Sequence, residues 1–149
     1  MPDIMHILTI DAAPEQVYRA LTTADGVRGW WTHDTELDSD IGGTGQFGFH
    51  NRQTVTTVRI EALTPPAHVG WRVRSSNAPG GWVGTTIAFD LRPDGDGTTL
   101  LFAHRGFADA NEGYARVTTG WGIYLQSLRQ YLETGTGTPH RASGSPPAT

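Results

Sequence analysis

Residues 109–135, DANEGYARVTTGWGIYLQSLRQYLETG, constrain the fold more than any other segment. Val117, Trp121, Leu125, Leu128 and Leu132 recur every three or four residues, the spacing of one apolar stripe on an α-helix. Tyr124 stands at the edge of that stripe. Asp109, with Glu112 three residues on, makes a capping-box-like start, and Gly135 supplies a stop. A long helix with one apolar face, placed last in the chain, needs a surface to cover.

The preceding residues supply that surface. Residues 4–10 read as a first strand with Ile4, His6, Leu8 and Ile10 on one face. Pro14 and Glu15 open a short helix that buries Val17, Ala20 and Leu21, and residues 25–31 read as a second short helix. Residues 34–40 are acidic and polar and read as loop. Alternation then resumes. Phe47 and Phe49 share a face, and so do Thr56, Val58, Ile60 and Ala62. Val69, Trp71 and Val73 form a third such face. Residues 82–91 read as a strand directing Ile87, Phe89 and Leu91 one way. Pro93-Asp94-Gly95-Asp96-Gly97 is a hairpin turn, after which Leu100, Phe102 and His104 share a face. Short connections imply antiparallel pairing. The expected fold is α+β: a curved antiparallel six-stranded sheet around a long C-terminal helix, a helix-grip architecture. Two short helices lie between strands one and two. The domain is expected to span residues 1–135, and residues 136–149, rich in Gly, Pro, Ser and Thr, to be a disordered tail.

Composition excludes several chemistries. There is no cysteine, so disulfides, thiolate metal sites and cysteine nucleophiles are out. All 11 basic residues are arginine, which rules out a Schiff-base or P-loop lysine. The net charge of −4 and the lack of a basic stripe argue against nucleic acid. No apolar run is long enough for a membrane span. The N-terminal residues do not read as a signal peptide, so a cytoplasmic protein is expected. The six histidines show no close metal-ligand spacing, and neither metal nor cofactor is expected.

The motifs, in order, resemble the START-like (SRPBCC) superfamily. Within it they are most similar to the small bacterial stand-alone form of the heat-shock protein 90 ATPase activator homologue group. The resemblance rests on Ala13-Pro14-Glu15-Gln16-Val17-Tyr18, on Gly29-Trp30-Trp31 with Gly42-Gly43 and Phe47-Gly48-Phe49, and on the turn 93–98. His104-Arg105-Gly106-Phe107 and Gly120-Trp121 with Tyr124-Leu125 complete it, over roughly residues 3–135. It implies an elongated, largely apolar cavity between sheet and helix. Eukaryotic chaperone activators carry a further N-terminal domain, which these residues do not contain.

Trp30, Trp31, Phe49, Trp71, Phe89, Phe102, His104, Trp121 and Leu125 are therefore the candidates for contacting a ligand. The competing reading of each aromatic is ordinary core. Trp30 and Trp31 are adjacent, so one is expected to face inward and the other to support an entrance. His104 fits a general base or a hydrogen-bonding ligand contact, and equally a core histidine satisfied by its neighbours. No catalytic residue is assigned. Three functions stay open: non-catalytic binding of a small hydrophobic or amphipathic ligand, a chaperone co-regulator or protein-interaction module, and a cyclase or dehydratase using the same cavity. An exposed sheet edge could also pair two chains as a homodimer.

Overall fold

The computed structural model describes residues 1–141. Ten elements follow in order: β1 (Asp3–Ile10), α1 (Pro14–Thr22), α2 (Ala24–Trp30), β2 (Asp34–Leu37), β3 (Thr44–Phe49), β4 (Thr54–Thr64), β5 (His68–Ser76), β6 (Thr86–Asp94), β7 (Gly97–Arg105) and α3 (Glu112–Thr134). All strands join one antiparallel sheet in the order β1-β7-β6-β5-β4-β3-β2. The first and second strands thus lie at opposite edges, and α1 and α2 carry the chain from one edge to the other. The fold is the expected α+β helix grip, with seven strands rather than six.

The added strand is β2. Its sequence, DTEL, has no apolar alternation, yet each residue pairs with β3, from Asp34 opposite Gly48 to Leu37 opposite Gly45. An edge strand needs backbone pairing and only one covered face, so a polar sequence suffices. Residues 82–85 are not strand; β6 begins at Thr86 and Trp82 sits in the preceding loop. Irregular pairing between Ile60 and Ala62 shifts the register of β4. Leu63 then packs toward the core in place of Ala62.

The inward faces otherwise follow the alternation. Val58, Ile60, Val69, Trp71, Ile87, Phe89, Leu100 and Phe102 are all buried, and Val117, Trp121, Leu125 and Leu128 of α3 cover them. The helix cap is Asn111, whose side chain accepts from the Tyr114 N–H at 3.0 Å, and not Asp109. Gly135 ends the helix with φ 87°, a left-handed conformation that glycine adopts without strain. The helix also grips the edge of β1. The Tyr114 hydroxyl donates to the Asp3 carbonyl at 2.6 Å, and Arg129 donates to the Thr9 carbonyl at 3.2 Å.

Residues 136–140, expected to belong to a disordered tail, are docked; residues 142–149 lie outside the described residues. The Thr138 N–H donates to the Ser127 hydroxyl at 2.8 Å. The His140 N–H donates to the Trp31 carbonyl at 2.8 Å, and the His33 N–H to the His140 carbonyl at 3.0 Å. Gly137 permits this approach: a Cβ there would meet the carbonyls of Gly29 and Ser127. Low hydropathy misleads here because the strap is held by hydrogen bonds, backbone groups among them, as well as by the buried Pro139. Cutting the chain after Gly135 should cost about 2 kcal/mol, the lost hydrogen bonds being partly offset by regained chain entropy. Urea unfolding of the two forms reads this, and identical midpoints would show that the strap contributes nothing.

Candidate functional site

Between sheet and α3 the interior is packed along most of its length, and open at one end. Trp30 donates its indole N–H to the Ala20 carbonyl at 2.9 Å and meets Phe89 edge-on at 6.3 Å. Trp71, Phe89 and Phe102 meet edge-on in series, each step at 5.3 Å. Trp30, Trp71, Phe89, Phe102 and Leu125 are each at most 2% exposed. They serve as core, and none reaches the open end.

There, a cavity of about 300 Å³ lies among Trp31, Phe49, Thr54, Thr56, Trp82, Val117, Gly120, Trp121 and Tyr124, with His50, Ala78, Pro79 and Arg116 completing the lining. Of the residues expected to contact a ligand, Trp31, Phe49 and Trp121 are brought together in this wall. Trp121 projects from α3 between Trp31 at 5.0 Å and Trp82 at 6.1 Å. Trp30 and Trp31 both turn inward, with rings 5.8 Å apart and nearly parallel. Trp31 is the C-cap of α2, its N–H donating to the Val27 carbonyl at 2.8 Å.

The other wall is a loop. Residues 77–85 fold over the start of α3, where Gly80, with φ 100°, sits so close that a Cβ would lie 3.1 Å from Val117 Cγ2. Trp82 is fixed by its indole N–H, which donates to the Pro79 carbonyl at 2.9 Å. Its indole is thereby held against the cavity. Sequence reasoning missed Tyr124 and His50, and placed Trp82, one of the aromatics able to line a cavity, on a strand. Gly80, Gly81 and Gly84 around Trp82 were the one signal that this tryptophan is carried on a loop.

The polar groups around the cavity are few. Thr56 and Ser76 share a hydroxyl–hydroxyl hydrogen bond at 2.8 Å. Burial pushes the Tyr124 phenol above its ordinary value, so it stays a neutral hydroxyl at physiological pH. Arg116 pairs with Glu112 at 2.8 Å on the exposed side of α3. No carboxylate is among the described residues lining the cavity.

His104 is fully buried and both of its ring nitrogens are engaged. The Trp121 indole N–H donates to Nδ1 at 3.0 Å, which makes Nδ1 the acceptor and Nε2 the N–H. Nε2 then donates to the Thr85 hydroxyl at 2.8 Å, and that hydroxyl donates to the Trp82 carbonyl at 2.5 Å. Burial holds the imidazole neutral, with its pKa lowered to about 3. An imidazole so bound offers a ligand neither a lone pair nor a proton. Its role is to fix Trp121 and, through Thr85, the loop that carries Trp82. No cluster of the described residues has the make-up of a metal site. None of the described helices is long and apolar enough to cross a membrane.

Known proteins of the same shape are numerous. The sequence pattern described as "Activator of Hsp90 ATPase homolog 1-like protein" matches residues 11–133. The Aha1 dimer from Colwellia psychrerythraea, solved in solution, is 33% identical with a TM-score of 0.80, covering 92% of this chain and 100% of that one. A crystal structure from Mesorhizobium loti is 21% identical with a TM-score of 0.78, covering 89% and 97%. DynU16, from the dynemicin biosynthetic locus, is 19% identical with a TM-score of 0.76, covering 91% of this chain and 48% of that one. The latter two share the fold. No curated protein matches the sequence.

Proposed function

We propose, for a chain that belongs to the activator of Hsp90 ATPase homolog 1-like family, non-catalytic binding of a small apolar or amphipathic molecule at the open end of the helix grip. The observation that carries this reading is the convergence of Trp31, Trp82 and Trp121 on one cavity, in a molecule whose interior is otherwise packed with aliphatic and aromatic side chains. Its volume of about 300 Å³ is at the small end of the range for ligand pockets. Its lining is largely apolar, with a few hydroxyls, His50 and Arg116, which suits orientation of a ligand. The family description also supports a chaperone-related role. Of the large exposed apolar side chains, Met1, Met5 and Ile7 lie at the start of the chain and on β1, and Ile41, Val83 and Ile123 come from three other segments.

Trp fluorescence and thermal unfolding, followed across a panel of fatty acids, aliphatic alcohols and planar aromatics, test the proposal. A true ligand at about 100 times its Kd should stabilise the fold by about 2.7 kcal/mol while changing the fluorescence. Trp82→Ala should weaken that ligand about tenfold or more, because it removes the loop-borne wall. If no compound moves either signal, the cavity is a packing defect and the reading fails.

A further inference from the structure

Beside the tryptophan cavity lies a corner rich in imidazole. His50 lines that cavity and also two adjoining hollows, of about 330 and 250 Å³. His140, on the docked strap, lines both hollows, and His33 lines the larger. The rings of His50 and His140 meet edge-on at 4.7 Å, and His140 packs on Phe49 at 5.4 Å, directly behind the cavity wall.

Among the described residues, the ring nitrogens of the corner's histidines are largely unengaged. The His50 backbone N–H donates to His140 Nε2 at 3.0 Å, which leaves Nδ1 of His140 as the N–H of the neutral ring. No hydrogen bond among the described residues uses a ring nitrogen of His33 or His50. The charged groups facing the corner are Asp34 on β2, Arg52 in the β3–β4 turn and Arg141 on the strap, and Arg116 of α3 lines the cavity that His50 shares. Asp34 is the one carboxylate among them, and Arg52 occupies both of its oxygens, at 2.7 and 2.9 Å. His50 and His140 therefore face each other, with His33 in the same hollow, and among the described residues no free carboxylate lines it. Protonation of His140 is disfavoured by burial first, and then by His50 and His33. An oxyanion placed among the three rings reverses the sign of that repulsion and accepts their N–H groups.

We propose that His33, His50 and His140 receive the oxyanion head group, carboxylate or phosphate, of an amphipathic ligand whose apolar part fills the tryptophan cavity. This rests on the ligand-binding reading above and names the chemical class of that ligand. His50, shared by cavity and hollows, is the point where tail and head meet.

Titrating the full chain with decanol, decanoate and decyl phosphate, with Trp fluorescence reporting the cavity and NMR the imidazole signals, separates the two readings. Decanoate and decyl phosphate should bind about tenfold tighter than decanol near pH 6.5, and the advantage should shrink by about pH 8 as imidazolium is lost. Which of the two anions binds tighter tells carboxylate from phosphate. In a His33→Gln/His50→Asn double variant, in which asparagine suits the φ of 53° at His50, the ratio of decanoate to decanol affinity should fall to near one. Equal affinity for decanol and both anions in the parent, or an unchanged ratio in the variant, overturns this inference alone. Binding of acetate and inorganic phosphate as tight as that of their decyl forms also overturns it, since head and tail would then be uncoupled. If neither decanol nor decanoate binds, the cavity reading falls and this one with it.

Discussion

Trp121→Ala is expected to destabilise the protein by about 3–5 kcal/mol, the cost of removing a buried aromatic from a core that cannot fully collapse around the gap. The indole is 2% exposed and meets Phe102 at 4.5 Å and Trp31 at 5.0 Å. Its loss also leaves Nδ1 of His104 without its donor, a buried polar atom with no compensation. For a domain of this size the thermal midpoint should fall by roughly 10–15 °C. Trp121→Phe helps to apportion the two contributions, because it removes the N–H while keeping much, though not all, of the buried ring. A loss below about 1 kcal/mol for the alanine variant would mean that Trp121 is mainly a wall facing open space rather than a plug.

The second large effect concerns acid. His104 is neutral in the folded protein, with a pKa of about 3 against an unfolded value of 6.5. Below about pH 6.5 the unfolded chain therefore takes up a proton that the folded one refuses. Stability from this residue is complete above about pH 6.5 and is lost as the pH falls toward 3, by up to about 1.4 kcal/mol per pH unit. Between about pH 6.5 and 5 ordinary carboxylates are still ionised, so the slope there belongs to histidine. His140, whose pKa is also lowered, adds a share of the same sign. Urea unfolding at a series of pH values should show this decline. His104→Met should be less stable at neutral pH but flatter toward acid. A flat profile in the parent protein would show that His104 is not held neutral by burial.

His104 also marks the limit of what could be read from one dimension. Its place on the inward face of β7 follows from alternation with Leu100 and Phe102, and a satisfied core histidine was one of two readings open to it. Deciding between them needed its partners, and these lie 17 residues later, at Trp121, and 19 earlier, at Thr85. No local pattern links three such positions. Ser127 is similar. It is a buried serine on α3, and its hydroxyl is the acceptor that docks residue 138. The strap was illegible because composition reports low hydropathy and is silent about hydrogen bonds.

Aromatic residues on inward faces were legible as a set, and their division into core and cavity wall was not. Trp71, Phe89 and Phe102 are enclosed on β5, β6 and β7, while Phe49 at the end of β3 and Trp31 beyond α2 border open space. A void is what remains when many side-chain volumes have been fitted together, so no single residue or spacing encodes it.

The helices, most of the strands and their inward faces were determined by the sequence alone, because periodicity and turn chemistry act over a few residues. The position of the cavity, the locked tautomer of His104, the strap and the meeting of His33, His50 and His140 were decided only in three dimensions. Each depends on groups far apart in the chain, whose approach is set by how the sheet curls around α3 and by which volumes are left unfilled.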